Sequence, residues 1–204
     1  MMIALLALAA ALQTDPKATE QWTPVPPVVT PGQAVSLAPP ADAIVLLGPK
    51  TGLGEWASMN GKPAGWTFNK DGSMTVKKGT GDIKTRRNFG SYQLHLEWKI
   101  PVGITGDNQA RGNSGLFLAA TDGDAGGYEL QILDSYVNKT YVNGQAASIY
   151  KQSPPLVNAM RPPGQWQTYD VVWHAPTFNA DGSLKAAARV TAFHNGLLVQ
   201  DNNV

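Results

Sequence analysis

No cysteine occurs anywhere in the chain. Disulfides, thiolate zinc sites, cysteine nucleophiles and an acylated lipoprotein cysteine are therefore excluded, although secretion is not. Histidine is scarce too, with three copies, none spaced like a zinc motif. Charge is low. Sixteen basic residues nearly cancel fifteen acidic ones, leaving +1. Such a balance provides no electrostatic footprint for nucleic acid or anionic lipid. No apolar run is long enough to span a bilayer as a helix. No phosphate-binding glycine loop, nucleotide fingerprint or G-x-S-x-G elbow is present. No cofactor is identified, no metal ligands stand out, and scattered oxygens leave a divalent metal such as calcium open.

Glycine and proline, by contrast, are abundant, with 21 and 15 copies. Apolar residues make up 43% of the 204 positions. One domain with a real core is expected, built of short strands and many turns. Met1 to Leu12 are almost wholly apolar, and Ala9 and Ala11 make an A-x-A-like cleavage site. Residues 1–12 read as a signal peptide, which predicts an extracytoplasmic (periplasmic or secreted) protein. Residues 13–40 read as a linker, because six prolines fall between Thr23 and Pro40 and such chain is extended. The folded domain is expected over 41–204.

Strand signals follow in close succession. Ile44 to Leu47 is a short apolar run. Trp66 to Phe68 and Met74 to Val76 flank the turn Lys70 to Ser73. Tyr92 to Trp98 alternates strictly, with Leu94, Leu96 and Trp98 on one face and His95 and Glu97 on the other. Gly115 to Leu118, Tyr128 to Ile132, Tyr169 to His174 and Arg189 to Phe193 continue the pattern. Asn195-Gly196 between two apolar runs is the strongest hairpin signal. Only Ala186 to Ala188 favours helix. Regularly spaced antiparallel strands argue an all-β sandwich or barrel.

Several polar positions could carry chemistry. Arg111-Gly112-Asn113-Ser114-Gly115 sets a guanidinium, an amide and a hydroxyl at the start of a strand. These suit sugar hydroxyls or an oxyanion, though such residues also make ordinary polar turns. Period 2 puts Glu129 and Gln131 on one strand face, roughly 6–7 Å apart. If Leu130 and Ile132 enter the core, the polar pair faces a groove, where a carboxylate can move protons. Asp134 falls on the opposite parity unless a bulge intervenes. Asp170 and His174 share a face, and His174 could act as a base or a metal ligand. Tyr136, Tyr141 and Tyr150 follow the Glu129 strand, and flat rings stack on sugar C–H faces.

Residues from about 44 to 201 resemble the 3-keto-disaccharide hydrolase domain family. The matching stretches include Gly81-Asp82-Ile83, Phe89-Gly90, Leu94 to Trp98, Arg111 to Gly115, Tyr128 to Tyr136, Pro154 to Asn158, Gly164 to Asp170 and His194-Asn195-Gly196. The resemblance implies a concanavalin-like jelly roll of two antiparallel sheets. It also implies breakdown of 3-keto sugars by lyase and hydratase steps, with a small-molecule sugar as partner. The family continues beyond this chain's last residue through a Gln-Asp-His-Gly segment and a closing strand, so C-terminal strands are expected to be missing. In that setting Glu129 or His174 would transfer protons. Arg111 and Asn113 would bind sugar oxygens or the developing oxyanion, and Gln131 and Asp134 would orient the sugar, with Tyr136 and Tyr150 beside them. Two other readings remain open: a non-catalytic carbohydrate-binding module, and a laminarinase-like glycosidase using Glu129 and Asp134 as paired carboxylates.

Overall fold

The computed structural model describes residues 15–33, 38–120 and 127–204. The expected signal peptide, Met1 to Leu12, lies outside these residues. The protein is all-β, with antiparallel sheets arranged as a sandwich. Its strands are β1 (Trp56–Ser58), β2 (Thr67–Phe68), β3 (Met74–Thr75), β4 (Ile83–Thr85), β5 (Tyr92–Lys99) and β6 (Ser114–Phe117). They are followed by β7 (Glu129–Ile132), β8 (Trp166–His174), β9 (Thr177–Phe178), β10 (Leu184–Ala186), β11 (Arg189–His194) and β12 (Leu197–Asn203). Among the described residues, no helix is long and apolar enough to cross a membrane.

One layer is a four-stranded sheet in the order β12-β11-β8-β5. Strict alternation along β8 buries Gln167, Tyr169, Val171 and Trp173 and leaves Trp166, Asp170 and His174 exposed. On β5, Leu94, Leu96 and Trp98 point inward and His95 and Glu97 point to solvent, as the two-residue period demands. Asn195 and Gly196 both take positive φ, 53° and 82°. This is the left-handed pair that joins two twisted strands by a two-residue turn, and it links β11 to β12. The turn Asn69-Lys70-Asp71-Gly72-Ser73 between β2 and β3 recurs as Asn179 to Ser183 between β9 and β10. In both, the Asp carboxylate accepts from the Ser amide and hydroxyl, while the Asn amide donates to the Ser oxygen.

The facing layer is built on the β6–β7 pair. Residues 147–150 run along the free edge of β7. Ala147 N–H donates to Gln131 O, Gln131 N–H to Ser148 O and Tyr150 N–H to Glu129 O. Leu130, Ile132 and Ile149 enter the core against Tyr169, Val171, Trp173 and Val190. Three side chains cross between the layers to backbone carbonyls: Tyr169 to Gln131 at 2.7 Å, Tyr92 to Leu118 at 2.7 Å and Gln200 to Ala147 at 2.9 Å. Each meets a carbonyl that burial would otherwise leave short of a donor.

Two segments depart from the sequence reading. Ile44 to Leu47 forms no strand. Ile44 and Val45 stay exposed, and Leu46 instead offers its carbonyl to the Trp56 indole N–H at 2.8 Å. Residues 15–33, within the expected linker, run against the domain. Gln21 O accepts from Val142 N–H, and the Asn143 side chain bonds both Gln21 N–H and Thr19 O. Val28 bridges to Asn158, and Arg161 donates to Gly32 O. Prolines keep backbone pairing here to that short bridge, yet the segment still presents carbonyls that buried Asn143 and Arg161 can satisfy.

Candidate active site

The outward face of β7 carries the candidate site. Leu130 and Ile132 fill the core, so Glu129 and Gln131 project together from the opposite side. Their cross-strand partners on β6 are Phe117 and Gly115. The Glu129 side chain folds over Gly115: a Cβ placed there would lie 1.9 Å from Glu129 Oε1. Glycine is thus what lets the carboxylate rest against the strand. Glu129 is half-buried, and its pKa is raised above the usual carboxylate value by burial first and by the negative charge of Asp82 second. A carboxylate held this way is a stronger base than one in water.

Beneath it, Gln131 is only 1% exposed. Its amide donates to Gln109 Oε1 at 3.0 Å, and Gln109 in turn donates to Thr140 Oγ1 and Gly144 O. Gln131 Oε1 is buried with no hydrogen-bond partner. The network therefore fixes one end of the amide and leaves acceptor capacity at the other.

Beside Glu129 stands a pair of phenols. Tyr150 ends the edge segment, its own N–H donating to Glu129 O, and its hydroxyl meets that of Tyr141 at 2.5 Å. Burial, and then the Tyr150 bond, push the Tyr141 phenol far above its ordinary pKa, with a smaller contribution from Glu129. Tyr141 thus stays protonated and able to donate. The Lys151 ammonium lies 5.6 Å from the Tyr141 ring and 5.9 Å from the Tyr150 ring. Backbone strain collects here: Ala147, at the start of the edge segment, and Lys151, just past its end, both adopt positive φ, a conformation non-glycine residues disfavour.

A second cluster sits at the other end of the β6–β7 pair. Arg111 Nε lies 2.9 Å from Asp134 Oδ2, off the line of a good hydrogen bond, so ionic attraction dominates. Arg111 also donates to Tyr136 O, and Asp134 Oδ1 accepts from Tyr136 N–H. Asp134 is 1% exposed. Its carboxylate holds Arg111 and the turn after Ile132 and does not reach an open cleft. Asn113 is exposed and donates to Gln109 O, which ties this cluster to the Gln131 network. The Tyr136 ring is exposed.

The structure thus gathers Glu129, Gln131 and Tyr150 on one face, with Arg111, Asn113, Asp134 and Tyr136 at its end. It does not bring His174 there. His174 follows buried Trp173 on the exposed face of β8, in the opposite layer, paired in register with Arg189. A side chain on that side of the sheet cannot reach Glu129. Sequence reasoning missed Gln109, Asp82 and Lys151 as neighbours of the site. Gln109 lies in a loop without periodicity, and only the three-dimensional fold brings it under Gln131. Among the described residues, no cluster of three or more His, Asp or Glu side chains is arranged to hold a metal ion.

Comparison with known proteins agrees with this architecture. No curated protein matches the chain significantly. A solved structure from Parabacteroides distasonis ATCC 8503, provisionally described as a glycosyl hydrolase, is 48% identical with a TM-score of 0.76, over 93% of this chain and 78% of that one. A second structure from the same organism, described in the same way, is 24% identical with a TM-score of 0.50, over 72% of this chain and 66% of that one, and shares the fold. The profile of the 3-keto-alpha-glucoside-1,2-lyase-like domain matches residues 44–204, and the chain belongs to that family.

Proposed function

We propose that the protein cleaves 3-keto-glycosides by base-assisted elimination followed by hydration. Family membership and the 48%-identical relative support a glycoside-related hydrolytic function. The finer reading rests on one observation: a half-buried Glu129 of raised pKa laid across Gly115 beside protonated phenol.

The chemistry needs those groups. A ketone at C3 acidifies the C2 hydrogen. Glu129 takes that proton, and the electron pair moves onto O3 as an enolate. Tyr150, part-exposed on the edge segment paired with Glu129 and backed by the buried Tyr141 hydroxyl, donates to this oxyanion. The enolate then collapses, the C1–oxygen bond breaks, and the departing alkoxide takes a proton from Glu129. Water adding at C1, with a proton returned to C2, completes a net hydrolysis. Gln131 acts as a positioning residue through its buried acceptor, and Arg111 and Asn113 border the far end.

The paired-carboxylate alternative loses support, since retaining hydrolysis needs two carboxylates about 5–5.5 Å apart facing one bond. Asp134 is buried against Arg111 and Gln131 is an amide. A binding module would leave both a keto glucoside and a plain glucoside intact. Release of the aglycone from a 3-keto glucoside and from the plain glucoside tests the reading. The keto form alone should be cleaved, and Glu129→Gln should lower its turnover by about 10²–10⁴-fold. Full activity in Glu129→Gln, or cleavage of the plain glucoside, overturns it.

A further inference from the structure

We infer that Trp22, carried by the N-terminal segment, forms a subsite for the sugar that leaves as aglycone. The inference rests on the Proposed function for the identity of the ligand, but Trp22 and the segment that carries it lie outside residues 44–204 of the family match. From Glu129 an aromatic row leads outward. Tyr150 adjoins the Glu129 backbone, Tyr141 meets Tyr150 hydroxyl to hydroxyl, and Trp22 packs edge-on against Tyr141 with centroids 6.1 Å apart. Tyr141 is buried, whereas Trp22 remains 46% exposed. An indole held at its edge with nearly half its surface free offers a flat apolar platform to a pyranose C–H face.

The platform is built in place. Asn143, fully buried, grips the segment on both sides of Glu20: its Oδ1 accepts from Gln21 N–H at 2.9 Å and its Nδ2 donates to Thr19 O at 2.8 Å. Val142 N–H donates to Gln21 O at 2.6 Å. Lys151, whose ammonium overlies the two tyrosine rings, donates to Pro16 O. The side chain that organises the phenols therefore also fastens the segment that carries Trp22. Had residues 15–33 served only to connect, buried Asn143 and strained Lys151 would have no reason to be committed to their backbone.

The test is titration of a 3-keto disaccharide and a 3-keto methyl glucoside into the Glu129→Gln protein, with and without Trp22→Ala. Trp22→Ala should weaken disaccharide binding roughly threefold to tenfold and leave the methyl glucoside unchanged, and Trp22→Phe should recover most of the loss. Hydrogen exchange at the Val142 amide should stay protected, showing that the segment remains docked. Equal disaccharide affinity with and without Trp22, equal losses for both ligands, or no disaccharide binding at all overturns the subsite. If the unmutated protein turns over neither keto sugar, the elimination reading fails while the titration still decides the fate of Trp22.

Discussion

Gly115→Ala isolates the chemistry from the fold. The new Cβ would fall 1.9 Å from Glu129 Oε1, 2.7 Å from its Cδ and 2.8 Å from its Cγ. Real Cβ atoms do not approach heavy atoms closer than 3.0 Å, so the carboxylate must retreat by more than 1 Å. The atoms in the way are the end of a flexible side chain, not backbone, so the strand itself can stay where it is. Gly115 carries no positive φ, and alanine there is conformationally permitted. Removing glycine from a strand interior is worth roughly 0.5–1 kcal/mol in chain entropy. The variant should therefore unfold at the same temperature as the parent or slightly above it. Its activity should nevertheless fall by about 10²-fold, the typical cost of a 1 Å misplacement of a reacting group. Aglycone release from a 3-keto glucoside and thermal denaturation, measured side by side, make the comparison. Parental turnover in Gly115→Ala would refute the claim that the carboxylate works from its position over that glycine. A collapse of stability along with activity would refute the claim that only the side chain yields.

Other outcomes follow from buried charge. His194 is fully buried, and burial first and Arg161 second lower its pKa from 6.5 to about 3. The unfolded chain binds the proton more readily, so stability is complete above pH 6.5 and drains away as pH falls towards 3. Linkage puts this loss at about 2 kcal/mol between pH 7.5 and 5. Urea unfolding of His194→Leu should show that much less acid sensitivity than the parent, whatever its absolute stability. Glu129 has the opposite sign: its raised pKa means the fold prefers the protonated acid and loses stability as pH rises above the ordinary carboxyl value of 4.5. Glu129→Gln should therefore gain on the parent from pH 4 to 8 and match it below pH 4 by the same titration. Asp134→Ala strands the Arg111 guanidinium and frees Tyr136 N–H. Because Arg111 is 20% exposed, the expected cost is about 2–3 kcal/mol, under the range for a fully enclosed pair, and a drop below 1 kcal/mol would show the ion pair to be dispensable.

Strand parity was legible in the sequence because it is local. The alternation in Tyr92 to Trp98 and Tyr169 to His174 named the inward residues of β5 and β8, and the same period put Glu129 and Gln131 on one face. Asn195-Gly196 turned where a left-handed pair must. Where the answer depended on distant partners, local pattern failed. Ile44 to Leu47 has the composition of a strand but pairs with no neighbour among the described residues. Asp134 became buried because the chain turns after Ile132 and meets Arg111, a residue with which it shares no periodic relation. The 15–33 segment docks through Asn143, whose bond to Gln21 spans 122 positions. His174 shared a face with Asp170 as expected, but which layer that face fronts is a property of the whole sandwich.

The phenol of Tyr169 grips the main chain of the very residue that lies beneath Glu129. A slip of β7 by a single residue would exchange the two sides of the strand, sinking the carboxylate into oil and lifting Leu130 onto the outer face. That exchange is opposed from the opposite layer, by a side chain no sugar will ever touch. Where the acid stands is thus decided in part on β8, and a change in that distant sheet can silence the protein while leaving every group around the ligand intact.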